Sequence, residues 1–206
     1  MFYDYYADVP EDTLRDFVTA QELGRLITVD DQGQPHIGLY PFRFDGDTIE
    51  MHLHRNDEQL ADLAGNARCS FEVDEVLGTI PSHWIHTSNA MFATAYHRVV
   101  IFECEAVVSD DPEVLAAQQQ RLMQQYQPEG GHAVVDTSQA MYRGAFREIR
   151  ALTLAVRARK VKWKLGQNRK RQELERVIEE LRKRGRPTDG PAADALQWVV
   201  ERQPAK

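Results

Sequence analysis

Hydrophobic and polar positions alternate through much of the first half of the chain, and turn residues interrupt the alternation at short intervals. Gly24-Arg-Leu-Ile-Thr-Val breaks at Asp30-Asp-Gln-Gly, and Pro35-His-Ile-Gly-Leu-Tyr-Pro-Phe-Arg-Phe breaks at Asp45-Gly46. Thr48-Ile-Glu-Met-His-Leu-His-Arg is the third run. Period-two alternation separated by Asp-Gly and Gln-Gly, which tolerate positive φ, predicts three strands of an antiparallel meander. From Asp57 to Ala64 the spacing becomes helical and stops at Gly65-Asn66, and Arg68-Cys-Ser-Phe-Glu-Val reads as a fourth strand. Upstream, Glu11-Asp12-Thr13 ahead of Leu14, Phe17 and Val18 predicts an N-capped amphipathic helix.

The pattern then lapses. Leu77 to Ala95 shows no clear period, and a connection of that length in a compact domain is usually functional or interfacial. Tyr96 to Val108 is a long strand, stopped by Ser109-Asp-Asp-Pro, which also caps a helix from Pro112 to about Gln125. Gln127-Pro-Glu-Gly-Gly is a loop, Thr137-Ser138 opens a helix reaching Arg147, and Ala151 to Leu165 alternates as a final long strand. Asn168 to Arg184 is a charged amphipathic helix with Leu174, Val177, Ile178 and Leu181 on one face; a short helix follows over Ala192–Glu201. About six antiparallel strands with peripheral helices predict a mainly β fold, a small barrel. A glycine-rich strand-to-helix turn and a Walker sequence are both missing, which argues against a doubly wound fold.

Composition narrows the class only a little. At 206 residues, 42% hydrophobic and 28% charged, the chain has the make-up of an ordinary globule with one good core. No apolar run approaches the roughly 20 residues that span a bilayer. Met1 to Asp8 is aromatic and acidic, unlike a secretory or transit peptide. Cys69 and Cys104 lack metal-ligand spacing and lie in strand patterns, so they are expected to be buried reduced thiols in a cytoplasmic protein. The net charge of −7 hides an asymmetry: residues 1–156 hold 10 Lys/Arg against 25 Asp/Glu, and residues 157–206 hold 15 against 7. A basic tail suits an anionic cofactor, an acidic partner or nucleic acid, and equally a solvated helix face.

Candidate chemistry collects where strands end. The third strand leaves the sheet through His52, Leu53, His54, Arg55 and Asn56 just where a helix begins, an arrangement that can cradle an anion. His52 and His54 share one face and Leu53 takes the other. A third ligand with helpful spacing is missing, so no metal site is expected. Arg55 is the best single cation for a phosphate, with a surface ion pair as its alternative; Gln59 is either a donor to a ligand or an ordinary helix residue. Trp84, between His83 and His86, joins large apolar area to an N–H donor. Arg98 sits on the long strand. Lys164, Gln167 and Asn168 close the last strand and open a helix, where an anion would be favoured, although Asn168 is equally explained as an N-cap.

The order of these motifs resembles the FMN-binding split-barrel superfamily, which includes pyridoxamine 5′-phosphate oxidase and the nitroimidazole-resistance flavoproteins. The resemblance rests on Gly24-Arg-Leu-Ile-Thr-Val, Asp45-Gly-Asp-Thr-Ile-Glu-Met-His-Leu-His-Arg and Tyr96-His-Arg-Val-Val-Ile-Phe-Glu-Cys-Glu-Ala, and covers roughly Asp12 to Leu181. Ile80-Pro-Ser-His-Trp and Lys164-Leu-Gly-Gln-Asn-Arg are similar to the PaiB-type branch of FMN-binding negative regulators, while Arg98-Val-Val-Ile-Phe is closer to the nitroimidazole-resistance branch. It implies a homodimer with FMN at the interface, an FMN-binding barrel domain over residues 1–165, and a helical extension over 166–206 packed on the barrel or its dimer partner. Ile37, Gly38, Leu39 and Tyr40 would run beside the isoalloxazine. His52, Leu53, His54, Arg55 and Gln59 fall at a His-x-Ala-Arg-x-Asn-Pro-Gln type sequence, in which Asp57 replaces the asparagine. Ser82 and Trp84 match a Ser-x-Trp position, Lys164, Gln167, Asn168 and Arg169 match the C-terminal motif, and Arg98 would serve the phosphate across the dimer.

The function implied is an FMN-dependent oxidoreductase acting on a small molecule, with His54 or His83 available for proton transfer. An FMN-binding transcriptional regulator is the alternative. Nucleic acid is a less favoured partner, because Glu173-Leu-Glu and Glu179-Glu180 interrupt the basic run. A non-catalytic flavin or haem-binding barrel is a further alternative, and a deazaflavin could take the place of FMN.

Overall fold

The computed structural model describes residues 3–203; Met1 and Phe2, which open the segment read above as unlike a targeting peptide, lie outside the described residues, as do residues 204–206. Helices α1 (Asp4–Ala7) and α2 (Glu11–Thr19) precede strands β1 (Leu23–Val29), β2 (Pro35–Pro41), β3 (Arg43–Phe44) and β4 (Thr48–His54). Helix α3 (Glu58–Gly65) leads to β5 (Arg68–Ile80) and β6 (Thr94–Ser109). Helices α4 (Pro112–Tyr126) and α5 (Arg143–Glu148) precede β7 (Ile149–Lys164), and α6 (Arg171–Arg184) and α7 (Asp189–Arg202) complete the order.

The strands form one mainly antiparallel sheet in the order β2-β1-β5-β6-β7-β4-β3, so that β2 and β3 are its two open edges. There are seven strands among the described residues rather than the expected six. The run from Pro35 to Phe44, read as one strand, is cut at Phe42. Pro41 has no N–H to give a ladder, and the Phe42 N–H donates to the Tyr126 hydroxyl at 2.9 Å while its carbonyl accepts from Gln125 Nε2 at 3.0 Å. Side chains of α4 thus satisfy the backbone that a neighbouring strand would have paired.

Other boundaries moved as well: the helix expected from Thr137 begins at Arg143, after a 3₁₀ turn over Ala140–Tyr142. β5 continues past Val73 to Ile80, and the rest of the aperiodic segment holds two 3₁₀ turns, Ser82–Trp84 and Ala90–Phe92. The helix expected from Asn168 starts at Arg171, because Lys170 is its N-cap and Glu173 reaches back to the Lys170 N–H at 3.1 Å. Asn168 therefore does not cap the helix.

The described residues divide into two compact units, residues 12–73 with 101–159, and residues 3–11 with 74–100 and 160–203. In the former, β1 pairs with β2 (Leu26 opposite Gly38, Ile27 opposite Ile37) and β4 with β7 (His52 opposite Ala151, His54 opposite Ile149). Its core holds Leu26, Phe42, Ile49, Met51, Phe71, Phe102 and Leu152, all 1% exposed or less. Phe42 meets Phe71 edge-on at 5.0 Å between centroids. Glu50, also buried, is held by Arg121 (Nε to Oε2 2.9 Å) and Arg43 (3.3 Å). Both cysteines are buried and unbridged here, and burial pushes each thiol up to about 12. In the other unit the apolar face read on α6 is buried as expected, and α7 contributes Ala192, Ala193, Leu196 and Val199 to the same core.

Candidate functional site

The proposed site residues fall into two sets, one in each unit. In the first, β2 presents Ile37 and Leu39 outward at 65% and 54% exposure. Ile27 stands opposite Ile37 and Arg25 opposite Leu39, so Leu23, Arg25, Ile27 and Val29 share that sheet face, and Leu23 and Val29 are also exposed. An apolar face at an open sheet edge is unusual for a free monomer surface.

The opposite side of β2 is polar and closed. Gln59, only 2% exposed, donates through Nε2 to Leu26 O (3.0 Å), Thr28 Oγ1 (3.1 Å) and His36 O (3.2 Å). Its Oε1 lies 2.8 Å from the Tyr40 hydroxyl, which is also 2.8 Å from Asp57 Oδ2, so one hydroxyl proton serves two acceptors. Both ends of the Gln59 amide are thus committed within the protein. Burial and the Asp57 contact push the Tyr40 pKa up, keeping the hydroxyl a donor at neutral pH. A Cβ added at Gly38 would overlap Gln59 Oε1 and the Tyr40 ring, so glycine is required by this packing rather than by a special φ. Gly38→Ala is expected to cost about 2 kcal/mol through overpacking, read as a lower denaturant midpoint.

Asp57 is explained by the same network. It is the N-cap of α3, accepting from Gln59 N at 3.0 Å, and Glu58 adds a second carboxylate in the first turn. The neighbouring donors are also engaged: Asp57 N donates to His54 O, Arg55 N to Glu148 O, and Asn56 N to His54 Nδ1. The anion cradle expected here is therefore filled by the chain's own groups.

His52 is largely buried against Gln119, with Nδ1 3.0 Å from Nε2, and burial lowers its pKa. Leu53 faces the core at 1% exposure, and His54 is exposed with Nε2 3.6 Å from Glu148 Oε2. Arg55 Nε pairs with the same carboxylate at 3.1 Å. Arg55 also lines a cleft of about 730 Å³ with Arg143, Arg147 and Arg150. That cluster was not anticipated, although the three-arginine spacing from 143 to 150 was its available signal.

His36 belongs to this network too. Its Nδ1 lies 2.8 Å from Asp62 Oδ2, which accepts from Thr28 Oγ1 at 2.6 Å. The Asp62 hydrogen bond raises the His36 pKa, with Glu58 and Asp30 adding to the shift. A raised folded pKa stabilises the fold fully below the unfolded value of about 6.5. That stabilisation is lost as pH rises through the folded value. The unfolding midpoint is expected to fall as pH rises above about 6.5, and the slope to flatten in His36→Gln.

In the second set, Trp84 is 8% exposed and the Arg184 guanidinium lies over its ring at 4.9 Å. Ser82 opens the 3₁₀ turn, its carbonyl accepting from Ile85 N and His86 N. His83 is exposed; His86 Nδ1 accepts from Asn89 N at 3.1 Å. Arg98 pairs with Glu75 at 3.0 Å and lies over Trp163 at 4.7 Å. Gln167 is turned inward, bridging Trp163 O (2.5 Å) and Leu165 N (2.9 Å). Lys164 and Asn168 come together at a cavity of about 240 Å³ that also takes in Tyr6, Tyr96 and Arg169, none of which was singled out from the sequence apart from Arg169 within its motif. The arginines and lysine of α6 meet acids at several points, including Arg171 with Glu175 and Lys183 with Glu180. No described helix is long and apolar enough to cross a membrane.

Comparison with known proteins places this arrangement. No curated protein sequence matches the chain. Among solved structures, the FAD and heme binding protein of Mycobacterium smegmatis is 18% identical with a TM-score of 0.58, covering 75% of this chain and 71% of its own. The flavocytochrome Anf3 of Azotobacter vinelandii is 15% identical with a TM-score of 0.59, covering 75% and 67%. The conserved hypothetical protein Rv2991 of Mycobacterium tuberculosis is 20% identical with a TM-score of 0.56, covering 75% and 85%. At these identities the likeness speaks for the fold, the split barrel expected above. A family model described as "Putative FMN-binding domain" matches residues 2–158. The chain therefore belongs to that FMN-binding family and carries its split-barrel fold.

Proposed function

We propose that this chain is an FMN-dependent oxidoreductase of the pyridoxamine 5′-phosphate oxidase-like class, a cytoplasmic homodimer acting on a small molecule, with the cofactor at the dimer interface. The observation that carries the reading is the exposed apolar face of Leu23, Val29, Ile37 and Leu39 at the open β2 edge. A mostly apolar exposed face, with Arg25 opposite Leu39 and a closed polar backing, suits an anionic flavin and a partner subunit. Ile37 to Tyr40 would line the ring, and the Tyr40–Gln59 pair would hold β2 rigid behind it. His52, with a lowered pKa, stays neutral near pH 7, and exposed His54 is placed to move a proton.

The donor set fits the ring end of FMN better than it fits a phosphate at α3. Asp57 and Glu58 oppose an anion there, which leaves Arg55, half satisfied by Glu148, as the nearest cation of that set. When bound, the flavin supplies the electron transfer; the chain supplies orientation and charge. The absorption spectrum of the purified protein tests this, with the released chromophore identified by mass. Flavin bands are expected, and Leu39→Glu should lower both flavin content and the dimer fraction in light scattering. A colourless protein that takes up no added FMN would end the proposal, and a Soret band would move it to haem.

A further inference from the structure

The cavity lined by Tyr6, Thr94, Tyr96, Lys164, Asn168 and Arg169 is a small chamber of about 240 Å³ whose lining contains no carboxylate. Every charged group on its wall is a cation. Neither Lys164 nor Arg169 forms an ion pair among the described residues, although acids meet most cations of the adjoining α6. Arg169 is held in place instead by the Phe92 face at 4.6 Å, by its N–H to Gly166 O at 2.8 Å and by its carbonyl accepting from Gln203 at 2.9 Å.

Tyr96 supplies a second and independent sign. The residue is 2% exposed, and its hydroxyl has no hydrogen-bond partner among the described residues. Burial pushes its pKa up to about 12, so the oxygen carries its proton. A buried hydroxyl left without a partner is costly, and native structures rarely keep one without a reason. Two like charges held beside it add to the cost. An oxyanion in the chamber relieves both, because the wall offers O–H, N–H₃⁺, guanidinium and amide donors.

We propose that this chamber is an oxyanion site, in which a phosphate-sized anion accepts hydrogen bonds from Lys164, Arg169, Asn168 and the Tyr96 hydroxyl. Its volume suits one tetrahedral anion with a few waters at roughly 30 Å³ each, and is too small for a three-ring flavin. The anion has two sources, a free oxyanion or the phosphate of a bound phosphate ester such as FMN; the second source rests on the flavin reading above, and the first does not. The positive turn that brings Lys164 and Arg169 to the same chamber is fixed by Gly166, whose φ is 77°.

The test is calorimetric titration of the full-length protein with inorganic phosphate against chloride at equal ionic strength, with thermal shift as a second readout. Saturable phosphate binding is expected. Tyr96→Phe keeps the ring and removes only the hydroxyl, so it should weaken phosphate about tenfold, the effect of one hydrogen bond to a charged group, while the melting temperature without ligand does not fall. Lys164→Gln with Arg169→Gln should abolish binding. No phosphate binding up to roughly 50 mM, where a site of useful affinity would shift the melt, overturns the proposal, as does binding that both variants leave unchanged.

Parallel titrations with FMN and riboflavin separate the sources. If phosphate competes with FMN and the double variant weakens FMN but spares riboflavin, the anion is the cofactor's phosphate. If phosphate binds and flavin affinity ignores the variants, the anion is free. Phosphate binding without any flavin binding removes the flavin reading and leaves the oxyanion site standing.

Discussion

Asp189→Ala is expected to destabilise the protein by about 3–5 kcal/mol, the cost of leaving one partner of a buried ion pair alone. Asp189 is fully buried, and Arg184 clamps both its oxygens, Nε to Oδ2 at 2.8 Å and Nη2 to Oδ1 at 2.5 Å. The same carboxylate accepts the Arg186 N–H at 2.9 Å, which shapes the turn between α6 and α7. Arg184 also donates to Thr79 O at 2.9 Å and covers Trp84, so its charge stays in place once Asp189 is gone. At roughly 2–4 °C per kcal/mol for a chain of this size, the melting temperature should fall by about 6–20 °C. Arg184→Met combined with Asp189→Leu should recover much of the loss, since no lone charge remains. A single variant that melts within about 2 °C of the parent would show the pair to be dispensable. The Arg184 hydrogen bond holds the Asp189 pKa below its ordinary value. Stability from this group is therefore present above the unfolded pKa of about 3.9 and is lost as pH falls through the lower folded value.

Gln59→Leu should cost about 3 kcal/mol and bring a second, local consequence. Leucine fills most of the space but leaves the Leu26 and His36 carbonyls without the amide donor that now serves both, and each buried group so exposed costs about 1–3 kcal/mol. It also frees Tyr40, whose proton then belongs to Asp57 alone. Chemical denaturation reads the stability loss, and amide exchange across β2 should rise, because this network is what ties the edge strand to α3. Gln59→Glu is the informative companion: it keeps the shape and the acceptor but replaces the donor amide with a charge, so it should be at least as damaging. If instead Gln59→Leu were neutral and the edge strand exchanged no faster, the polar backing would have no role in holding the candidate flavin face.

Element types were largely legible along the chain because they depend on local period and turn chemistry. The Asp45–Gly46 and Asp30–Gly33 turns, the α4 cap at Asp111–Pro112 and the buried stripe of α6 all rest on residues a few positions apart. The interruption at Phe42 was not legible, because the groups that satisfy its backbone come from Tyr126 and Gln125, some 84 positions away. The cap at Lys170 is a different failure. Asn168 is the better capping residue by type, but Glu173 reaches back to the Lys170 N–H and moves the helix start.

The candidate site divides the same way. Sequence by itself determined that this is an FMN-binding split-barrel chain, that β2 carries apolar side chains on alternate positions, and that cations gather at the ends of β4 and β7. The first rests on the family resemblance and the matching family model; the others follow from residue order and from the two-residue period of a strand. Only the tertiary structure decided what those residues are free to do. It committed the ligand candidate Gln59 to a buried backing network, made Asp57 a helix cap, tied Arg55 to Glu148, and set a Tyr96 hydroxyl unpartnered among the described residues in one chamber with Lys164 and Arg169. The physical reason is that a side chain's hydrogen-bonding capacity is used up by neighbours in space, and those neighbours lie far off in sequence.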